Sequence, residues 1–224
     1  MELLGQFIWK LLPFLKVTLT IAVSSMIIGL VFGGILAAMK VFGGRIVRKV
    51  AELYTTVIRC TPVIILLFLS YYGIPLLLHL VGIDVSRGSK IVFAIVALSL
   101  YSSAILSEII RPAYMAVSEG QYEAAMMVGL SPLQAIFHIM IPQALYIALP
   151  NMGNMMISLI QQSSLAFLIG VVDVMGQAKV INSITYSAHI FEVYFAVSLI
   201  YWLLILIVGK GVDITAYRMG KMLR

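Results

Sequence analysis

Long runs without charge constrain this chain more than any other feature. Four stretches, from about Leu11 to Met39, Thr61 to Leu80, Ile91 to Ile110 and Phe191 to Val208, stay predominantly apolar throughout. A fifth, from Gln143 to about Val172, is as long but is interrupted by Pro150, Gly153 and several amides. A helix crosses the hydrocarbon layer of a bilayer with roughly 20 apolar residues. With 62% hydrophobic and 11% charged residues, the chain has too little polar surface to hide such runs in water, where soluble domains carry about a quarter charged residues. Lipid is its solvent. The runs lack the in-out alternation of a lipid-facing barrel strand, so their backbone groups have to be satisfied within helices. The expectation is an all-α transmembrane fold of five spans, forming one domain over residues 1–224, with Lys16 snorkelling near the outer end of the first span.

The formal charge of +6 would point to nucleic acid in a soluble protein. In a membrane chain it reflects basic residues gathered on the cytoplasmic side. Lys40, Arg45, Arg48 and Lys49 follow span one, and Lys210, Arg218, Lys221 and Arg224 follow span five. An odd number of spans puts both groups on one side. Lys10, Arg87, Lys90 and Lys179 are spread over the other. The N-terminus is therefore expected outside and the C-terminus in the cytoplasm. The single Cys60 excludes an intrachain disulfide. No basic, apolar, small-residue cleavage pattern stands at the N-terminus, so the first span is expected to direct insertion itself.

Residues from about 118 to 135, between spans three and four, are far less apolar than their flanks. Glu119 and Glu123 fall in the first turns of a short helix, where carboxylates suit the positive end of the helix dipole. Ala124 and Ala125 favour helix and leave room for close approach by another surface. Gly129 is placed to end this helix, and Ser131-Pro132 to start a second with proline at its first position. On composition alone the stretch is either a docking element or an ordinary loop.

Its spacing resembles a known family. Glu123-Ala124-Ala125, three residues, Gly129, nine residues, Ile139 and then Ile141-Pro142 match the EAA motif of ABC importer permeases, with Ile141 in place of Leu. Arg59-Cys60-Thr61-Pro62, Tyr101-Ser102-Ser103-Ala104 leading to Glu108 and Arg111, and Gln143-Ala144 through Pro150 to Ser158-Leu159-Ile160 are similar to the polar amino acid subfamily, the permeases for histidine, glutamine and arginine. Departures are Cys60 for Gly and Gln161-Gln162-Ser163-Ser164 for a Lys-Asp-Thr-Ser type of sequence. The resemblance implies a five-span permease of the bacterial inner membrane that translocates a polar amino acid, a basic one or glutamine above all. It implies a second permease copy or close relative, two copies of an ATP-binding subunit gripping the coupling helix, and an extracytoplasmic substrate-binding protein. ATP and Mg are then bound by the ATPase subunit, and this chain holds no cofactor.

The residues agree with a non-catalytic role. A phosphate-cradling loop needs Gly, four residues and Gly-Lys-Ser/Thr, whereas Gly209-Lys210 precedes Gly211 and Gly220-Lys221 precedes Met222. His79, His138 and His189 are scattered without metal-ligand spacing, and no nucleophile-histidine grouping stands out. An ion-coupled secondary transporter should show repeated halves, and none is visible. A channel or scaffold has no use for an EAA-type loop.

Polar groups inside a span are costly in lipid and mark pathways or helix contacts. Asn151, Asn154, Ser158 and Gln161 or Gln162 recur at helical spacing on one face of span four, the better pathway candidates. Ser99, Ser103 and Ser107 recur every four residues on span three, where helix-to-helix bonding is the favoured role, with Tyr101 and Glu108 on an adjoining face. Glu108 can meet a cationic substrate, or pair with Arg111 on its own helix or with Arg59. Pro62 breaks the helix at the head of span two, which brings Arg59 and Thr61 into consideration beside a cavity.

The orientation is testable by labelling in a Cys60→Ser background. Lys49→Cys and Lys221→Cys should react with an impermeant thiol reagent from the cytoplasmic side only, and Lys179→Cys from outside. Reversed labelling would overturn the assignment.

Overall fold

The computed structural model describes residues 2–85 and 88–222. Arg87 and Arg224, two of the charges counted above, lie outside them. Among the described residues there are helices and no strands. The molecule is built around one helix pair. Helix α2 (Leu15–Phe42) turns Ser25, Gly29, Gly33, Ala37 and Lys40 to its buried face, a row of small residues at helical spacing. Against it lies α6 (Lys90–Met115), which buries Ser99, Ser102, Ser103, Leu106 and Ser107. Side chains larger than hydrogen do not fit at the crossing. A Cβ on Gly29 would overlap the Ser102 hydroxyl, and one on Gly33 would stand 2.9 Å from both the Leu106 Cβ and the Ser103 carbonyl oxygen. The proximity is used: Ser102 Oγ donates to the Ser25 carbonyl at 2.9 Å, and Ser25 Oγ donates to the Ile95 carbonyl at 3.3 Å. Ser102 makes this bond beside the glycines, and within the expected Ser99-Ser103-Ser107 row Ser107 also bonds across to α2 by accepting from Lys40 at 2.9 Å.

Between α2 and α6 the span expected over about Thr61 to Leu80 is present but interrupted, and a further helix precedes it. Helix α3 (Arg45–Cys60) runs first and stops because Pro62 disfavours helical geometry at Thr61, whose ψ of 123° is extended. The chain bends by 103° there. Helix α4 (Val63–Phe68) then leads through a π-helical turn, Leu69–Gly73, into α5 (Ile74–His79). Ser70 Oγ fastens this interrupted span to α6 by donating to the Phe93 carbonyl at 2.8 Å.

Beyond α6 come the loop helix α7 (Glu119–Met127) and a short α8 (Pro132–Ala135). Ser131 and Gln134 cap α8 reciprocally, with Pro132 at its first turn as the sequence implied. Helix α8 is not separate from span four. It passes through a π-helical turn, Ile136–Met140, into α9 (Ile141–Ser163) and on through a 3-10 segment, Ser164–Ile169. Pro150 sits inside α9 without ending it. Gly170, at φ +80°, stops the run.

Like α3, two further helices had no counterpart in the sequence reading. Helix α1 (Glu2–Leu11) precedes span one, and α10 (Val174–Ile184) precedes the last span, α11 (Ile190–Met222). Phe7, Leu11, Val174, Ile181, Val193 and Ala196 form a core of their own. The main core joins Ile21, Leu67, Leu98, Leu159 and Ile160. Asp173 caps α10, accepting from the Gly176 amide at 2.8 Å, and Thr18 and Tyr201 each donate to it at 3.4 Å. One buried carboxylate thus ties the first and last spans to α10.

The two sides of α2 should respond oppositely to added bulk. Gly33→Val drives a side chain into the α6 backbone and should cost about 1–3 kcal/mol of thermal stability in detergent. Gly34→Ala meets nothing within 4 Å and should be neutral or gain about 0.5–1 kcal/mol from helix propensity. Equal losses at both positions would refute the close crossing.

Candidate functional site

Span three and span four meet along a shallow groove of about 240 Å³ lined by Tyr101, Ile105, Ile109, Asn151, Asn154, Met155 and Ser158. Its spacing explains itself. Residues 101, 105 and 109 form one face of α6, and 151, 154, 155 and 158 one face of α9. The structure thereby brings Tyr101 from one span to Asn154 and Ser158 from the other. Asn151 and Asn154 are exposed within this chain, whereas Met155 is buried. Gln161 and Gln162 continue the polar face of α9 beyond the groove lining, and the Gln161 carbonyl accepts from Ser164 Oγ at 2.6 Å.

The remaining span-three candidates belong to a different cluster. Lys40 has no side-chain exposure and uses its ammonium fully. It donates to Thr55 Oγ1 at 3.0 Å, Ser107 Oγ at 2.9 Å and Glu108 Oε1 at 2.5 Å. The other Glu108 oxygen faces Arg59 Nη1 at 3.6 Å. Glu108 is paired, and its partners are Lys40 and Arg59; no ion pair with Arg111 occurs among the described residues. Ser103 shares a 2.9 Å hydrogen bond with the Tyr54 hydroxyl and donates to the Leu100 carbonyl at 2.8 Å. Thr61 spends its hydroxyl on the Val57 carbonyl at 2.8 Å. This cluster pins α2, α3 and α6 together.

Lys40 is the residue that sequence reasoning missed, having been counted as a loop charge. A signal was available: Ser25, Gly29, Gly33, Ala37 and Lys40 lie on one helical face, so the row that packs on span three ends in a cation. Thr55 and Tyr54 could not be found the same way, because α3 was not anticipated as a helix.

The loop candidates adopt the geometry their spacing implied. Glu119 opens α7, while Ala125 is buried and Glu123 and Ala124 are exposed. Gly129, at φ +87°, reverses the chain. Its amide donates to the Met126 carbonyl at 3.0 Å, and the Leu130 amide to the Ala125 carbonyl at 3.2 Å, closing the helix end. Met127, Val128 and Leu133 stand 88%, 79% and 67% exposed beside it, an apolar surface that nothing in this chain covers. Gln143 Nε2 donates to Gln121 Oε1 at 3.3 Å, bonding α7 to the foot of α9.

Removing one partner of a buried ion pair costs more than the pair is worth, because the other charge stays buried. Glu108→Gln strands a fully buried ammonium and should lower stability by about 3 kcal/mol. Lys40→Met leaves a carboxylate that is 36% exposed and still beside Arg59, so it should cost less. The double variant should recover part of the Glu108→Gln loss. Thermal unfolding of the four proteins in detergent gives the comparison, and a harmless Glu108→Gln would refute the pairing.

Comparison with known proteins agrees with this architecture. Residues 11–221 match the family described as the binding-protein-dependent transport system inner membrane component. The chain is 42% identical over 202 residues to the L-cystine transport system permease protein TcyL of Bacillus subtilis (strain 168), covering 90% of this chain and 84% of that protein. It is 36% identical over 202 residues to the arginine transport system permease protein ArtQ of the same organism, covering 89% of each. A solved structure of an amino acid ABC transporter with histidines superposes at a TM-score of 0.81, with 32% identity over 96% of both chains. The chain belongs to the family of binding-protein-dependent transport system inner membrane components, the multi-pass, non-catalytic permease subunits of bacterial inner-membrane importers whose ATPase is a separate subunit.

Proposed function

We propose that this permease carries an amino acid whose side chain has no net charge along the groove between α6 and α9. The lining carries the argument. Tyr101, Asn151, Asn154 and Ser158 offer hydroxyls and amides, Ile105, Ile109 and Met155 offer apolar surface, and no charged side chain lines the groove. Amides that both donate and accept suit a zwitterion's ammonium and carboxylate. A cationic side chain would need a carboxylate, and Glu108 is committed to Lys40 and Arg59. Glutamine and cystine fit this lining better than the basic amino acids that the sequence also suggested. Among the relatives, the cystine permease is 42% identical to this chain, the arginine permease 36% and a probable glutamine permease 32%, an ordering that favours cystine but does not separate glutamine from arginine.

The working unit we propose pairs this chain with a second permease copy, with two ATP-binding subunits that hold ATP and Mg docked on α7 and its surroundings, and an extracytoplasmic binding protein on the opposite side. Glu119, Glu123, Ala124, Ala125 and Gly129 form the coupling surface. Closure of the ATPase pair moves the spans between inward-open and outward-open forms, with the C-terminus of this chain in the cytoplasm.

Substrate-stimulated ATPase activity of the reconstituted importer tests the reading. Glutamine or cystine should stimulate hydrolysis at lower concentration than arginine or histidine. Asn154→Ala should weaken the apparent substrate affinity roughly five- to a hundredfold, the loss of one or two hydrogen bonds to charged groups, with basal hydrolysis intact. Gln161→Ala, outside the groove, should do less. A preference for arginine, or an Asn154→Ala protein that loses only stability, would sink the proposal.

A further inference from the structure

We propose that α3 recognises acidic phospholipid headgroups in the leaflet on the side of α7, through Arg45, Arg48 and Lys49, while its apolar stripe sits in that leaflet. The helix has three distinct faces. Ile46, Val50, Leu53 and Val57 recur at spacings of four, three and four, which makes one stripe. They are 79%, 55%, 66% and 53% exposed, so nothing in this chain covers them. Ala51 and Thr55 lie on the protein side, both buried. Arg45, Arg48 and Lys49 lie along the remaining face, all exposed, with Glu52 as the nearby carboxylate. Glu52 is taken by Arg48 at 2.8 Å. No ion pair to Arg45 or Lys49 occurs among the described residues.

Direction and depth agree with a helix lying in the interface. The 103° bend at Thr61 sets α3 across the span that follows, so that where this span runs along the bilayer normal α3 lies closer to the bilayer plane. Lys40 in the last turn of α2 and Glu108, two turns before the end of α6, hold α3 at the α7 end of the bundle. An apolar face in the acyl region with basic side chains at the headgroups is the arrangement of interfacial amphipathic helices. A second copy is the other conceivable occupant. A two-fold pairing of this stripe with itself would bring like surfaces together, setting the cations of one copy beside those of the other.

Brominated-lipid quenching tests the proposal on the full-length chain in vesicles. A Trp9→Phe/Trp202→Phe background carries Leu53→Trp as reporter, with Val57→Trp as the alternative if Leu53→Trp misfolds. Brominated phosphatidylglycerol and brominated phosphatidylcholine should both quench the introduced indole. The anionic lipid should be preferred by fivefold or more, about fivefold being expected for each basic residue near the headgroups. Adding Arg45→Gln/Arg48→Gln/Lys49→Gln should bring the two lipids to parity while quenching persists. Equal quenching without those changes, or none, would overturn the proposal. So would a disulfide between two copies formed by Leu53→Cys in a Cys60→Ser background, which would assign the stripe to a second copy.

Discussion

Helices in lipid are not driven together by the hydrophobic effect, since acyl tails are as apolar as leucine. The contact between α2 and α6 therefore carries a burden that a soluble core spreads widely. Glycines at 29 and 33 let two backbones approach until Ser102 reaches the Ser25 carbonyl, and dispersion and hydrogen bonding act together along one seam. The seam ends in Lys40, whose ammonium finds Thr55, Ser107 and Glu108 only because the small residues before it have brought the helices so close. Helix α3 is located by that ammonium, and the bend into span two is located by α3.

The asymmetry of polar burial explains how functions divide along span three. Toward α2 and α3 the hydroxyls of Ser102, Ser103 and Ser107 and the carboxylate of Glu108 are consumed by structure, while the buried Ser99 hydroxyl has no partner among the described residues. Toward α9 its face is Tyr101, Ile105 and Ile109, opposite two asparagines and a serine, and among the described residues nothing hydrogen-bonds the tyrosine hydroxyl. A single helix thus has one face bonded mostly within the chain and another that forms the proposed substrate face. That division is what membrane burial demands, because a polar group in lipid must be either bonded to protein or wetted in a cavity.

Much of this was legible in the residues. Apolar length revealed the spans, helical spacing revealed the polar face of α9, and the glycine at 129 sits in the left-handed conformation that its place after Glu123-Ala124-Ala125 implied. What escaped was the short and the amphipathic. Helix α1 and helix α3 carry too many polar residues to register as spans, and α10 is too short. The partnership of Lys40 with Glu108 joins residues 68 positions apart, and only the packing of α2 on α6 makes it. Gln161 and Gln162 share the right face but lie past the end of the groove, a distinction that periodicity alone does not contain.

The unbroken run from Pro132 to Ile169 has a mechanical meaning. Thirty-eight residues of helix make a rod about 55 Å long, with the loop helix α7 bonded near one end through Gln121 and Gln143. Asn154 stands about 30 Å along that rod from Pro132. A tilt of about 5° at the loop end carries the asparagine sideways by roughly 3 Å, about the length of a hydrogen bond. Gearing of this kind has no preferred direction. On the proposed assignment of the groove to substrate and of α7 to the ATPase, whatever free energy docking spends on tilting the rod an occupant of the groove can return, so the two would influence each other equally.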